Sequence, residues 1–356
     1  MAQESGDVSV PVEKMQALGE RLFVSLGVSQ DHARLTVETL IEADLRGVES
    51  HGVAHLAGFY VRRLLREHIN PKPNIRVVSE APAAAVIDGD LGLGFVVAHQ
   101  AMDLAMEKAL AAGVGFVSVK NSTHCGAGFH YALKAARREM IGISMTTGGN
   151  IVVPPGARKP AYGANVISVA APTGKGFEYV LDGSTSVVAG GKLEIAARGG
   201  TSIPEGWALD DSGAPTTDPT VLARGGGLLP LGGSPEMGAY KGFGLGIFAD
   251  VMSGVLSGSG ASMALSPTGA ASHLLAAIRI DAFLPMSEFT RHMDEMIDGL
   301  KAAERQPGVG EILIPGEMEA RLERQRLADG AIPVHPAVIG SLRTAAEKQD
   351  VPFDLE

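Results

Sequence analysis

At 356 residues the chain exceeds the size at which one hydrophobic core stops growing, so two or three subdomains are expected. A net charge of -10 argues against a nucleic-acid or anionic-membrane partner, both of which need a basic footprint. The single cysteine, Cys125, excludes an intramolecular disulfide framework and a thiolate cluster for structural zinc. The longest apolar run, 242–256, is interrupted by Asp250 and falls short of the ~18 residues a membrane span requires. No basic segment followed by an apolar run opens the sequence, and a cytoplasmic location is expected.

In chain order, 14–46 reads as two helices, the second capped by Ser29 and stopped at Gly47. After a turn around His51, a third helix is expected over 56–67, then an extended, proline-punctuated stretch over 70–74. A short strand is expected over 83–88, a long amphipathic helix over 95–112, a strand over 115–119, a polar loop 121–128 and a helix over 129–139. From Ile141 the pattern changes to short β-like runs, 141–146, 166–171 and 178–181, separated by Gly and Pro. Helices are expected over 186–198 and 241–257, a strand over 274–280, and helices over 287–305, 317–327 and 336–349. Helical ends around a β-rich middle indicate an α+β architecture, with residues 1–115 and 285–356 forming a helical, mixed part that carries the His51 turn and 116–284 a sheet-centred part.

No Gly-x-Gly-x-x-Gly follows a strand with an acidic residue about 20 positions on, so the Rossmann fingerprint is missing, and so is a P-loop. His51 and His55 have helical metal-ligand spacing, but Gly52 stands where a zincin needs its glutamate. Ser50 adjoins His51 without a nucleophile elbow, which makes hydrolysis a poor reading. Proton transfer is better supported: a histidine near its ordinary pKa of ~6.5 can donate to a carbonyl oxygen, and Arg46 has the fork geometry to clamp a carboxylate. The competing reading of Arg46 is a cation that satisfies a helix C-terminus.

The run Asp44-Leu45-Arg46-Gly47-Val48-Glu49-Ser50-His51-Gly52-Val53 resembles the signature of the malate/L-lactate/L-sulfolactate dehydrogenase-like family. Asn121-Ser122-Thr123-His124-Cys125-Gly126, Leu181-Asp182-Gly183-Ser184-Thr185-Ser186, 203–219, Tyr240-Lys241-Gly242-Phe243-Gly244-Leu245 and Pro315-Gly316-Glu317 follow in that family's order. The resemblance implies an L-sulfolactate dehydrogenase-like fold, not Rossmann, and an NAD- or NADP-dependent oxidoreductase interconverting a small 2-oxo acid and 2-hydroxy acid. By the same resemblance His51 would be the acid–base residue, with Ser50 beside it and His124 competing for the role. Arg46 would hold the substrate carboxylate. Asp182, Ser184, Thr185, Ser186, Tyr240 and Lys241 would bind the cofactor within 116–284, with Gly316 and Glu317 closing over it. A homodimer is implied as well.

The sequence departs from its relatives at His55, where they carry an arginine, and at Cys125, where they carry an aromatic residue. Gly163-Ala164-Asn165-Val166, Gly183-Ser184 and Gly148 differ too, and these changes bear on the substrate more than on the reaction. His55 is therefore expected to contact substrate. The alternatives are a cyclic 2-imino-carboxylate reductase on the same fold and a metal-assisted hydrolase or lyase using His51, His55 and His124; the leading reading assigns no metal.

Overall fold

A computed structural model describes residues 6–264 and 269–355. Strand β1 (Val8–Pro11) runs into helix α1 (Val12–Ser25), and Ser29 accepts a hydrogen bond from the His32 N–H to open α2 (Gln30–Leu45). A 3-10 turn (Glu49–His51) and a π-helical turn (Leu56–Val61) lead into the short α3 (Arg62–Leu65). The uniform α-helix expected over 56–67 is thus wound more loosely in its first half, a form that concentrates at functional sites. β2 (Arg76–Ala81), β3 (Ala84–Asp88), α4 (Gly94–Ala112) and β4 (Val114–Ser122) follow, then α5 (Phe129–Ala136).

The β-rich middle contains β5 (Met140–Thr146), β6 (Asn150–Val152), β7 (Tyr162–Gly163), β8 (Val166–Ala171), β9 (Tyr179–Gly183), α6 (Gly190–Arg198), β10 (Ala208–Leu209), β11 (Pro215–Thr216) and β12 (Gly227–Leu228). Next come α7 (Ala239–Asp250), a second π turn (Val251–Val255) and β13 (Ala271–Arg279). The chain closes with α8 (Met286–Lys301), α9 (Glu317–Asp329), β14 (Ala331–Val334) and α10 (Pro336–Lys348). The helix expected from residue 186 begins at Gly190, because Ser186 bridges to Pro230 and the Val187 N–H donates to the Leu229 carbonyl, which holds 186–188 extended.

Seven strands form the main sheet in the order β2-β3-β4-β13-β5-β8-β9, antiparallel throughout except for the parallel pair β3 and β4 joined by α4. This mixed sheet is an α+β arrangement with helices packed on it, not a doubly wound parallel one. The boundary expected at 115/116 falls inside β4, and the sheet draws strands from both sides of it. β2 was not foreseen because all six of its residues are exposed, so it lacks the alternation by which a half-buried strand is read. A smaller sheet, β11-β10-β12-β6-β7, stands beside it, and β1 pairs with β14 to tie the two ends of the chain together. One core, including Leu18, Leu22, Val37, Leu40, Leu56, Tyr60 and Leu342, joins α1, α2, the first π turn and α10. It gives the His51 turn a rigid base.

Candidate functional site

Helix α2 ends so that the Asp44 carboxylate points back at the turn that follows. It accepts the Val53 N–H at 2.7 Å and is only 2% exposed. A Cβ on Gly52 would stand 2.0 Å from that carboxylate, so only glycine lets the chain pass. Arg326 of α9 donates to the Asp44 carbonyl and, at 3.3 Å, to Glu49. The turn bearing His51 is therefore clamped from both sides. Asp44 was legible only as the first letter of a motif, since nothing in periodicity signals a carboxylate folded back on its own loop.

Ser50 Oγ lies 3.0 Å from His51 Nδ1, and Gly191 at the start of α6 packs directly on Ser50, where a Cβ would stand 2.8 Å away. His124, on the loop after β4, stacks on His51 with ring centroids 5.7 Å apart and planes 16° from parallel. Tyr60, fully buried and presented by the π turn, donates its hydroxyl to His124 Nδ1 at 2.6 Å, and the Gly126 N–H points at the same nitrogen at 3.2 Å. Nδ1 is thus an acceptor and the His124 proton sits on Nε2. His55 meets both rings edge-on, at 6.1 Å from His51 and 6.3 Å from His124, and its Nε2 lies 3.3 Å from Glu194 of α6. Phe59 stands 5.2 Å from His124, and the Arg63 guanidinium covers the Phe59 ring at 4.2 Å. Tyr60, Phe59, Arg63 and Glu194 were not foreseen, because the loosened turn that aims the first three has no sequence signature. Among the described residues no three His, Cys, Asp or Glu are arranged to hold a metal ion.

Burial lowers His51 to about 4, with His55 adding to the fall and Glu194 opposing it. Burial also drives His124 well below its ordinary value, helped by His51, His55 and Arg63. Both rings are neutral at neutral pH and ready to accept a proton. Burial likewise lowers His99 to about 2 and His273 to about 4, and raises Asp44 to about 8. The histidines, depressed on folding, contribute stability above pH 6.5 that is lost as the pH falls below it, because the unfolded chain then binds protons the folded one refuses. Asp44, raised on folding, acts oppositely: its contribution is lost as the pH rises from 3.8 to about 8. Five histidines, His32 among them, outweigh below 6.5 the carboxyls of Asp44 and of Asp182, which burial raises to about 7, and above 6.5 the carboxyls prevail. Urea midpoints measured from pH 5 to 8.5 should peak near 6.5, with the steeper fall on the acid side.

Arg46 is not beside the histidines. It is 2% exposed, paired with Glu323 of α9 and stacked 5.2 Å from the Phe129 ring, so a role as substrate clamp next to His51 does not fit the geometry. With Asp182, Gly316, Phe129 and Glu319 it lines a separate cavity of about 210 Å³. Asp182 accepts the Phe129 N–H at 3.1 Å, which holds the start of α5. Glu317, expected to close over a cofactor, is buried against Lys301 and Arg321 and accepts the Ile314 N–H, so its oxygens are committed within the protein. Thr185 donates to the Ala164 carbonyl and Ser186 to that of Val188. Ser184, Tyr240 and Lys241 stay accessible, Tyr240 at 64%. The Leu231 N–H donates to the Thr185 carbonyl and Gly242 packs on Leu231, so the hydroxyl loop and the first turn of α7 adjoin.

The sequence profile for malate/L-lactate dehydrogenase matches residues 10–343. A malate dehydrogenase of Pyrococcus abyssi is 41% identical over 97% of this chain and 96% of its own. An L-sulfolactate dehydrogenase of Methanocaldococcus jannaschii is 39% identical over 84% of this chain and 86% of its own. The solved malate dehydrogenase of Pyrococcus horikoshii superposes with a TM-score of 0.92 at 37% identity, covering 99% of both chains.

Proposed function

Since the chain belongs to the malate/L-lactate dehydrogenase family, we propose that it interconverts a small 2-oxo acid and the matching 2-hydroxy acid with a nicotinamide cofactor, His51 moving the proton. The observation that carries this reading is the stacked pair of neutral, buried imidazoles, each with its Nδ1 tied to a hydroxyl and its Nε2 left for chemistry. The residues fit a dinucleotide in part: Ser184 offers a hydroxyl, and Tyr240 and Lys241 offer a ring and a charge at the first turn of a helix, where phosphate is favoured. Thr185 and Ser186, bonded to the Ala164 and Val188 carbonyls, fix the loop that carries Ser184. When bound, the nicotinamide gives or takes the hydride.

The chain's own residues handle the rest. In oxidation, neutral His51 takes the hydroxyl proton while Ser50 fixes its ring. In reduction the same ring must arrive protonated, and a bound carboxylate supplies the negative charge that lifts its depressed pKa toward neutrality. Arg63, whose charge reaches His124, takes the carboxylate-holding role in place of Arg46. The apolar row Leu245, Phe248, Val251, Val255 and Leu256 along α7 and its π turn is exposed at 43–58% and is the surface a second copy would cover.

The test is a fluorescence titration with NADH and NADPH followed by assays on a panel of 2-oxo acids, with sedimentation run on the same sample. Nucleotide binding, reduction of at least one acid and a particle of twice the 36.8 kDa chain mass are expected. Failure of both nucleotides to bind would sink the oxidoreductase reading. A single-chain mass would remove the dimer alone.

A further inference from the structure

Taking the 2-oxo acid reaction as given, we propose that the cleft selects a 2-oxo monocarboxylate whose far end is a neutral hydrogen-bond donor such as a carboxamide. It discriminates against a second carboxylate, and Glu194 is the specificity residue.

The charges around the imidazoles have a direction. On one side Arg63 lies over Phe59, whose ring adjoins His124. On the other side Glu194 reaches in from α6 to His55 Nε2 at 3.3 Å. One cation matches one carboxylate, the group next to the reacting carbonyl. The remainder of the substrate then extends past His51 toward His55, and there it meets an acid. His55 donates through Nε2, which makes its buried Nδ1 an acceptor, and that nitrogen has no hydrogen-bond partner among the described residues. An acceptor beside a carboxylate calls for a donor on the ligand.

His55 and, one helical turn on, the charge of Arg198 hold the Glu194 carboxyl below its ordinary value, so it stays ionised at that end. Arg46 is committed to Glu323 in a different cavity. Lys192 and Arg198, which share α6 with Glu194, line a third cavity together with Asp44, Glu49 and Arg326 on the outer side of the His51 turn. Position 55 itself carries an imidazole rather than a permanent cation. Two unit charges of like sign about 6 Å apart at a half-wet site disfavour binding by about tenfold. The side chain of Glu194 is 69% exposed at the cleft mouth, which keeps the effect near that size rather than far above it.

The experiment compares oxaloacetate with 2-oxosuccinamate, which differ only by carboxylate against amide at the far end. The wild-type protein should show kcat/KM at least about tenfold higher for the amide. Glu194→Gln should shrink that ratio to about threefold or less, and Glu194→Lys should reverse it. A ratio within one variant is insensitive to general loss of activity, so an impaired variant still reports. Wild-type preference for the dicarboxylate, or a ratio unmoved in both variants, overturns the proposal while leaving the dehydrogenase reading intact. If neither acid is reduced with NADH or NADPH, that reading falls and takes the proposal with it.

Discussion

Replacing His51 by alanine should lower the turnover of 2-oxo acid reduction by roughly two to four powers of ten while leaving nicotinamide nucleotide affinity within about twofold. The ring is held by Ser50 Oγ at 3.0 Å and by the clamp of Asp44 on the Val53 N–H, so its Nε2 has little freedom to wander. Such fixation is what general acid–base catalysis needs, and truncation removes the proton donor without touching the surface formed by Ser184, Tyr240 and Lys241. Rapid-mixing measurement of NADH oxidation checks the rate, and fluorescence titration checks the affinity. Turnover within threefold of wild type would hand the role to His124, whose Nε2 is equally free once Tyr60 has taken Nδ1.

Glu323→Ala should cost about 3 kcal/mol of stability, the lower end of what breaking a buried ion pair costs. Arg46 is 2% exposed and bonded to Glu323, which also receives Arg137 at 3.4 Å; without that carboxylate the Arg46 charge is stranded beneath the surface. Glu42, which feels the Arg46 charge, offsets part of the loss. Urea unfolding followed by circular dichroism reads the change. The KM for the oxo acid should stay within about twofold, which separates a structural Arg46 from a substrate clamp. A large rise in KM with unchanged unfolding would restore the clamp.

The His51 turn was readable because its letters are local: an apolar period of 3.6 residues, a serine cap and a glycine stop place a helix end, and hydroxyl next to imidazole follows directly. The strands at 141–146 and 166–171 were readable for the same reason, as compact β-branched runs between turn residues. The direction of Arg46 was not legible, because at a helix end it is decided by what packs there, and Glu323 lies 277 residues away. Neither was that of Glu317, which Lys301 and Arg321 draw inward. His124 could be named but not oriented, since its orientation comes from Tyr60 across 64 residues of sequence. Pairings at such range leave no trace in a local pattern.

The π turn at Leu56–Val61 gives this architecture a place to diversify. A helix advances about 100° per residue, so gaining or losing a single residue in that turn swings Phe59, Tyr60 and Arg63 to new headings while α2, Ser50 and His51 stay where they are. The winding of that turn thus sets the aim of the side chains around His124, while the Ser50–His51 pair is carried by the end of α2.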